Sequence, residues 1–434
     1  MHPLEYSEAS ITIIMRTIAN FEEIVDKFRP DVEAYEAIYR QLHQNPELSM
    51  VESATSALAR SHLEKLGFDE VISQLGGYGF VGVLRNGTGP VVMLRADMDA
   101  LPLKELTALP YASSKTQLDR NGNENPVMHA CGHDVHVACL IGAAELLHSA
   151  REAWSGTLIC LFQPGEEDGA GARRMVEDGL FDKIPKPDIL LGQHVVNTEA
   201  GTVQIRSGAA LSSCDCFDVR LFGEGGHGSS PHKCIDPVYA ACCTVVRLQG
   251  IVSRELDPAE YAVVTCVNLQ TSKAINIIPD VVDMKVDVRT YDPAVRQRVV
   301  QAVKRVIHGE SKASGLPKEP EIVHTDDIPA IVNDEEVVRA LKGVFRHHFG
   351  ERAVSEMARD TASDDFSVFA HEHNIPCAYW NIGGVDPLTW QEAKRCGKID
   401  ELPGNHSAYF APAPNPTIRT GIDALAVAAL KFLH

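Results

Sequence analysis

Basic side chains are in deficit throughout this sequence. Forty Lys and Arg face 59 Asp and Glu, for a formal charge of -19. A surface of that sign repels phosphate backbones and anionic lipid heads, which argues against nucleic acid and membrane partners. Aromatic residues are also few, at 6% within a hydrophobic total of 44%, so the core must be largely aliphatic. At 434 residues the chain is too long for one typical domain, and two or three globular units are expected. Internal repeats, low-complexity segments and long charge runs are missing, which leaves a compact enzyme as the natural class. The eleven cysteines are an odd number scattered through apolar runs such as Cys139, Cys160 and Cys242-Cys243. With no signal peptide ahead of them they read as reduced and mostly structural, and a cytoplasmic location is expected. Met1 to Asn20 has Arg16 as its only basic side chain besides His2 and no apolar core fit for export or spanning. It is expected to be a loosely attached leader.

What is present in excess is local. Met128 to His136, MHACGHDVH, packs three imidazoles, a thiol and a carboxylate into nine residues just before an apolar run. Cys131 and His133 are donors that zinc, manganese or nickel accept, and Gly132 lets the backbone turn so that both can point one way. Taken alone, the cluster has a second reading, as a chance grouping or a polar helix start.

The surrounding pattern is that of an α/β protein. Helical spacing runs from Phe21 to Leu42, stopped before Asn45-Pro46, and again from Glu52 to Leu66, closed by Gly67. Gly79 to Leu84 and Val91 to Arg95 read as buried strands, the second followed by Asp97 and Asp99. Together with Arg95 they are a surface turn or an internal salt bridge, or else groups standing behind a metal, since ligands collect at the carboxyl edge of open α/β sheets. Val135 to His148 is an apolar helix. The strand Thr157 to Phe162 runs into Gln163-Pro164-Gly165-Glu166-Glu167, a turn on which neighbouring glutamates need not face opposite ways. They are a solvated helix start or a catalytic pair. Asp188 to Leu191 delivers His194, and His406 sits in a polar loop, where alone it reads as a surface histidine.

From about Ala209 to Pro320 shorter strands and two helices form a β-α-β-β-α unit of the ferredoxin-like sort: strand Cys216 to Phe222, helix Asp236 to Arg254, strands Tyr261 to Leu269 and Val281 to Arg289, and helix Pro293 to His308. Lys312 to Pro320 is a plausible return linker, and after it the helix Asn333 to Phe349, strand Pro376 to Ile382 and helix Pro416 to Leu433 restore the α/β texture. The expected architecture is a catalytic domain (21–208 and 321–434) with a central, mostly parallel sheet flanked by helices, interrupted by an α+β ferredoxin-like domain (209–320).

If Cys131, His133, Glu167, His194 and His406 converge at one sheet edge, five ligands suit two metals better than one. Paired metals activate a water and polarise a carbonyl, and Glu166 beside a ligand is placed to carry the proton.

The segments RADMDALP (Arg95 to Pro102), MHACGHDVH, FQPGEEDGAGA (Phe162 to Ala172), GQHV (Gly192 to Val195), GGHGSSPH (Gly225 to His232), IVSRE (Ile251 to Glu255), NIIPD (Asn276 to Asp280) and Asn405-His406-Ser407 resemble the metal-dependent amidohydrolases of the aminoacylase and carboxypeptidase superfamily, in the branch of hippurate and auxin-conjugate hydrolases. The likeness spans roughly Tyr35 to the C-terminus. It implies two divalent metals (manganese or zinc) on Cys131, His133, Glu167, His194 and His406, with the Cys131 thiolate in place of a carboxylate, and Glu166 as general acid/base. It implies that His227 stabilises an oxyanion, that Asn276 and Arg289 grip a substrate carboxylate, and that the inserted domain is a lid that mediates a homodimer. For Arg289 a strand-end ion pair is the equal alternative. Two departures bear on substrate choice: Val195 to Gly201 replaces a proline-containing turn, and Cys214 and Cys216 stand where relatives carry small residues. The activity implied is hydrolysis of N-acyl amino acids or similar amides with a free carboxylate; a dipeptidase or carboxypeptidase, or a catalytically silent binding relative, are the alternatives.

Overall fold

The computed structural model describes residues 21–271 and 274–433, so the expected leader lies outside the described residues. Residues 21–28 are helical, and a second helix, α1 (Val32–Gln44), follows after a break. The single helix expected over Phe21 to Leu42 is therefore two. Pro30 disfavours helical angles at Arg29, and the Asp31 side chain caps the new start by accepting from the amide of Glu33. Helix α2 (Ser53–Leu66) ends on left-handed Gly67. Its free amides at Ala54 and Thr55 are taken by the buried Glu47 carboxylate (2.9 and 2.8 Å), which leaves Glu52 available for another task.

Six strands of the large sheet precede the smaller unit: β1 (Glu70–Leu75), β2 (Gly79–Asn86), β3 (Val91–Asp97), β4 (Gly156–Gln163), β5 (Ile189–Glu199) and β6 (Val203–Ile205). The smaller unit supplies β7 (Ser213–Phe222), β8 (Ala262–Gln270), β9 (Val281–Thr290) and β10 (Glu321–Ile328), and the chain then returns for β11 (Val354–Glu356) and β12 (Cys377–Val385). The large sheet has the order β1-β2-β4-β3-β5-β12-β6-β11, and its four middle strands β4, β3, β5 and β12 run parallel. The expected mixed α/β fold with a mostly parallel central sheet is what the chain adopts.

Parallel strands buried on both faces must be apolar throughout, and β4 is buried at every residue. Helix α3 (His133–Ser149) is apolar on nearly every face because it lies between that sheet and its neighbours, packing on α1, α2 and the C-terminal helix Pro414–Phe432. Strand β5 runs past its expected end at Leu191 to Glu199, since pairing with β12 continues through His194 opposite Asn381. His194 thus lies within a strand rather than beyond one.

The chain divides into two compact units: residues 21–208, 332–358 and 368–433 in one, and 209–331 with 359–367 in the other. The boundary expected at Pro320 moves because Glu321–Ile328 is the fourth strand of the smaller sheet, not the resumption of the larger one. That antiparallel sheet has the order β8-β9-β7-β10, the βαββαβ arrangement with α4 (Pro237–Gly250) and α5 (Pro293–Ala313) on one face. β10 is hard to recognise in sequence, as EIVHTDDI alternates without a run of strong hydrophobes. The helix expected to stop at His308 also continues to Ala313, using up the start of the supposed linker.

Candidate metal centre

Gly132 turns the chain into α3 with φ of 85°, a left-handed conformation that places Cys131 and His133 on either side of the turn. A Cβ on Gly132 would lie 2.3 Å from Cγ1 of Val195, so the turn is also packed too tightly for a side chain. Across it, Nε2 of His194 stands 3.5 Å from the Cys131 sulfur. The His406 loop is tied to the same spot: its amide donates to Ala130 O (2.8 Å), and Nδ2 of Asn405 donates to Cys131 O and Val195 O (both 3.0 Å). His406 itself has φ of 68°, an unusual conformation for a residue with a side chain.

Glu166 and Glu167 sit on the turn that follows β4. That turn is pinned at both ends, as Gly165 N donates to Glu52 Oε1 (2.8 Å) and Glu167 N to Asp99 Oδ2 (3.0 Å). The Glu167 carboxylate lies 3.3 Å from Nε2 of His406, and both glutamates reach to 3.9 Å from Nε2 of His133. All five expected ligands, and Glu166 with them, are therefore brought together. Two of the sets they form, Cys131 with His133 and His194, and Cys131 with Glu167 and His406, share the sulfur, and a third joins His133 to Glu166 and Glu167; in each the donor atoms lie within 4.8 Å of one another.

The arrangement passes a test of fit for cations. His133 Nδ1 faces Asp99 Oδ1 at 3.1 Å and His194 Nδ1 faces its neighbour's carbonyl, Val195 O, at 2.8 Å, so each ring is fixed with Nε2 toward the centre. His133 Nε2 and Glu167 Oε1 are buried and have no hydrogen-bond partner among the described residues. Polar atoms left so are costly unless something else satisfies them. Burial, then the His136 ring beside it, pushes His194 well below the usual imidazole range, which keeps it in the neutral form a metal requires. Burial and the Glu167 carboxylate push the Cys131 thiol up, so a thiolate there needs a compensating cation. His406 is raised to about 10 by hydrogen bonds to Cys131 and Glu167, the same anions that would hold the metal.

Asp97 and Asp99 are both buried, so they are not the surface turn that was one reading of them. Asp97 pairs with the buried Arg95 (2.6 Å), and it also receives Nδ1 of His136 and lies 3.6 Å from His133 Nε2. His136 had no role in the sequence reading. Its Nε2 accepts from Val195 N (2.9 Å), so it links the carboxylate behind His133 to the strand that carries His194. The signal was its spacing, one helical turn after His133 on an otherwise apolar helix. Glu52 was missed as well, being read only as a helix start.

The remaining candidates lie in the smaller unit. His227 and Asn276 meet on one two-stranded ribbon, where Gly226–His227 pairs with Ile277–Ile278 and Gly228 N donates to Asn276 O. Ser229 N donates to His227 Nδ1 (3.1 Å), which leaves the proton of the neutral ring on Nε2. Arg289 is engaged by Asp287 through Nε (3.0 Å) and by Ser363 through Nη1 (2.8 Å), the strand-end ion pair that was its alternative.

Residues 93–401 match peptidase family M20/M25/M40. The chain belongs to that family. It is 39% identical over 350 residues to a hippurate hydrolase of Campylobacter jejuni, covering 80% of this chain and 86% of the relative. An N-acetyl-L-cysteine deacetylase of Bacillus subtilis is 36% identical over 376 residues, 86% of this chain and 85% of that one. Among solved structures, a dinuclear metal-binding M20 peptidase of Bacillus subtilis superimposes with a TM-score of 0.71 at 27% identity, over 92% of this chain and 99% of its own. The M20 chain described here is accordingly a metal-dependent amidohydrolase.

Proposed function

We propose that this M20 enzyme hydrolyses the amide of N-acyl amino acids, or of similar amides bearing a free carboxylate, at a centre of two divalent ions, manganese or zinc. The observation that carries the reading is the pair of ligand sets sharing Cys131, with buried His133 Nε2 and Glu167 Oε1 unpartnered between them. Cys131, His133, Glu167, His194 and His406 would hold the ions. When bound, two such ions lower the pKa of a water and polarise the scissile carbonyl.

The protein's own groups do the rest. Glu166, on a turn held by Glu52 and Asp99, takes the proton of the attacking water and passes it to the leaving nitrogen. His227 offers its Nε2 proton to the oxyanion of the tetrahedral intermediate. Arg289 and Asn276 take the substrate carboxylate; a guanidinium can keep Asp287 on Nε and still present its remaining N–H groups to an anion. The names of the hippurate and N-acetylcysteine relatives, both acting on acylated amino acids, support this substrate class.

We also propose that the smaller unit forms a homodimer. Strand β8 is an edge of its sheet and exposes Val267 and Leu269, and Tyr239 and Val246 of α4 are exposed nearby in sequence order.

The deciding experiment replaces Glu166 by Gln. Metal content should be unchanged while hydrolysis of N-acetyl and N-benzoyl amino acids falls by roughly 10²- to 10⁴-fold, the usual worth of a positioned proton carrier. Parental rates in the variant would refute the mechanism, and free dipeptides as the preferred substrates would refute the substrate class.

A further inference from the structure

The two cysteines that departed from the family pattern stand together. Cys214 and Cys216 alternate on β7 and so share a face of the smaller sheet, with their sulfurs 3.6 Å apart. On the adjacent strand β9, Asp287 is the direct partner of Cys216 and Arg289 that of Cys214. One oxygen of Asp287, Oδ1, lies 3.7 Å from the Cys214 sulfur and 3.6 Å from that of Cys216. On the other side, Asp326 of β10 is paired with Cys216. Two sulfurs and a carboxylate oxygen within 4.8 Å of one another meet the distance requirement for a common ion.

We propose that Cys214, Cys216 and Asp287, all residues of the smaller unit, form a second cation site selective for a soft or borderline divalent ion such as zinc or cadmium. Two thiolates chelating from alternate positions of one strand favour such ions over magnesium, calcium or manganese, which prefer oxygen. Asp326 is placed to supply a fourth donor and complete a tetrahedral set. Cys214 is buried while Cys216 and Asp287 are partly exposed, so the ion has a route in from the open face of the sheet. The hydrogen bond with Cys216, and then the Arg289 guanidinium, hold Cys214 below the usual thiol range, while the same bond and burial push Cys216 up, so the entering ion has to displace the Cys216 proton. The balance is simple: one divalent ion enters, two sulfur–metal bonds form, and the two thiol protons leave for solvent.

The test uses the full-length protein carrying Cys131→Ser, which removes the catalytic thiolate, titrated with cadmium under reducing conditions. About one ion per chain should bind with a thiolate-to-cadmium absorption band, and about two protons should be released, read from binding heats in buffers of different ionisation enthalpy. Adding Cys214→Ser and Cys216→Ser should abolish the band while the circular dichroism spectrum is retained, and Cys216→Ser alone should weaken binding at least tenfold if the double change impairs folding. A Cys131→Ser protein without the band, or a band that survives loss of the cysteine pair, overturns the proposal. Neither result bears on Glu166, whose variant tests the hydrolytic reading separately.

Discussion

Gly132 shows how much rests on one residue. Its left-handed φ separates Cys131 from His133, and the missing side chain is where Val195 packs. Gly132→Ala is expected to cost roughly 2–4 kcal/mol, from the strained dihedral together with overpacking, and to lower metal content; denaturant melts and elemental analysis check both. Glu52 is the second such residue. Burial, and then the nearby Asp99 carboxylate, raise its pKa to about 8, and it accepts the amides of Met50 and Gly165 that shape the glutamate turn. An acid raised in the fold above its unfolded value, 4.5, binds its proton more tightly when folded. Its contribution to stability is complete below about pH 4.5 and is lost as the pH climbs toward and through 8. Unfolding free energy should therefore decline across that window, and Glu52→Gln, which keeps the shape of the neutral acid, should flatten the decline. An unchanged slope would show that Glu52 does not govern it. Gly132 was legible in sequence as a turn, whereas Glu52 was not legible as a determinant, because a buried carboxyl looks like any helix-start glutamate until its neighbours are known.

Among the elements, those that carry the centre behave unequally. The turn after β4 and the start of α3 were readable, since Pro and Gly end the strand and Gly132 precedes an apolar run. The His406 loop was not, and what holds it is Asn405, whose amide bridges two carbonyls on two other elements. Asn405→Ala removes both bonds, and with them the 3.8 Å contact of Nδ2 with the Cys131 sulfur, while every candidate ligand residue stays in place. It should lower metal affinity by roughly 10- to 100-fold, the common effect of losing a ligand's support, with the melting curve of the metal-free protein little changed. Competition against a chelator of known affinity reads the difference. Strand β10 is the opposite case, an element overlooked because its polar alternation satisfies an edge position while offering little apolar signal.

For the whole molecule, the two units have separate cores: one surrounds the large sheet and α3, the other lies between the small sheet and its two helices. No helix among the described residues is long and apolar enough to cross a membrane. If the smaller unit pairs with a second copy through β8, then Val267→Lys places a charge on that edge, the device by which natural edge strands avoid partners. The variant should sediment as a monomer at concentrations where the parent is a dimer. A parent that is itself monomeric would dispose of the dimer altogether.

The periodicity of apolar residues and the punctuation by Gly and Pro determined the α/β class, the inserted α+β unit and the small set of residues able to bind metal, because these depend on local sterics and on burial patterns that a chain displays residue by residue. Which of those side chains meet, that Cys131 is common to two sets of candidate donors, that His136 and Glu52 brace the strand and turn beside them, and that Glu321–Ile328 completes the smaller sheet were decided only in three dimensions. Those facts depend on contacts between segments tens to hundreds of residues apart, and a donor's value to a metal lies in the distance and direction of its partners, which spacing along the chain does not encode.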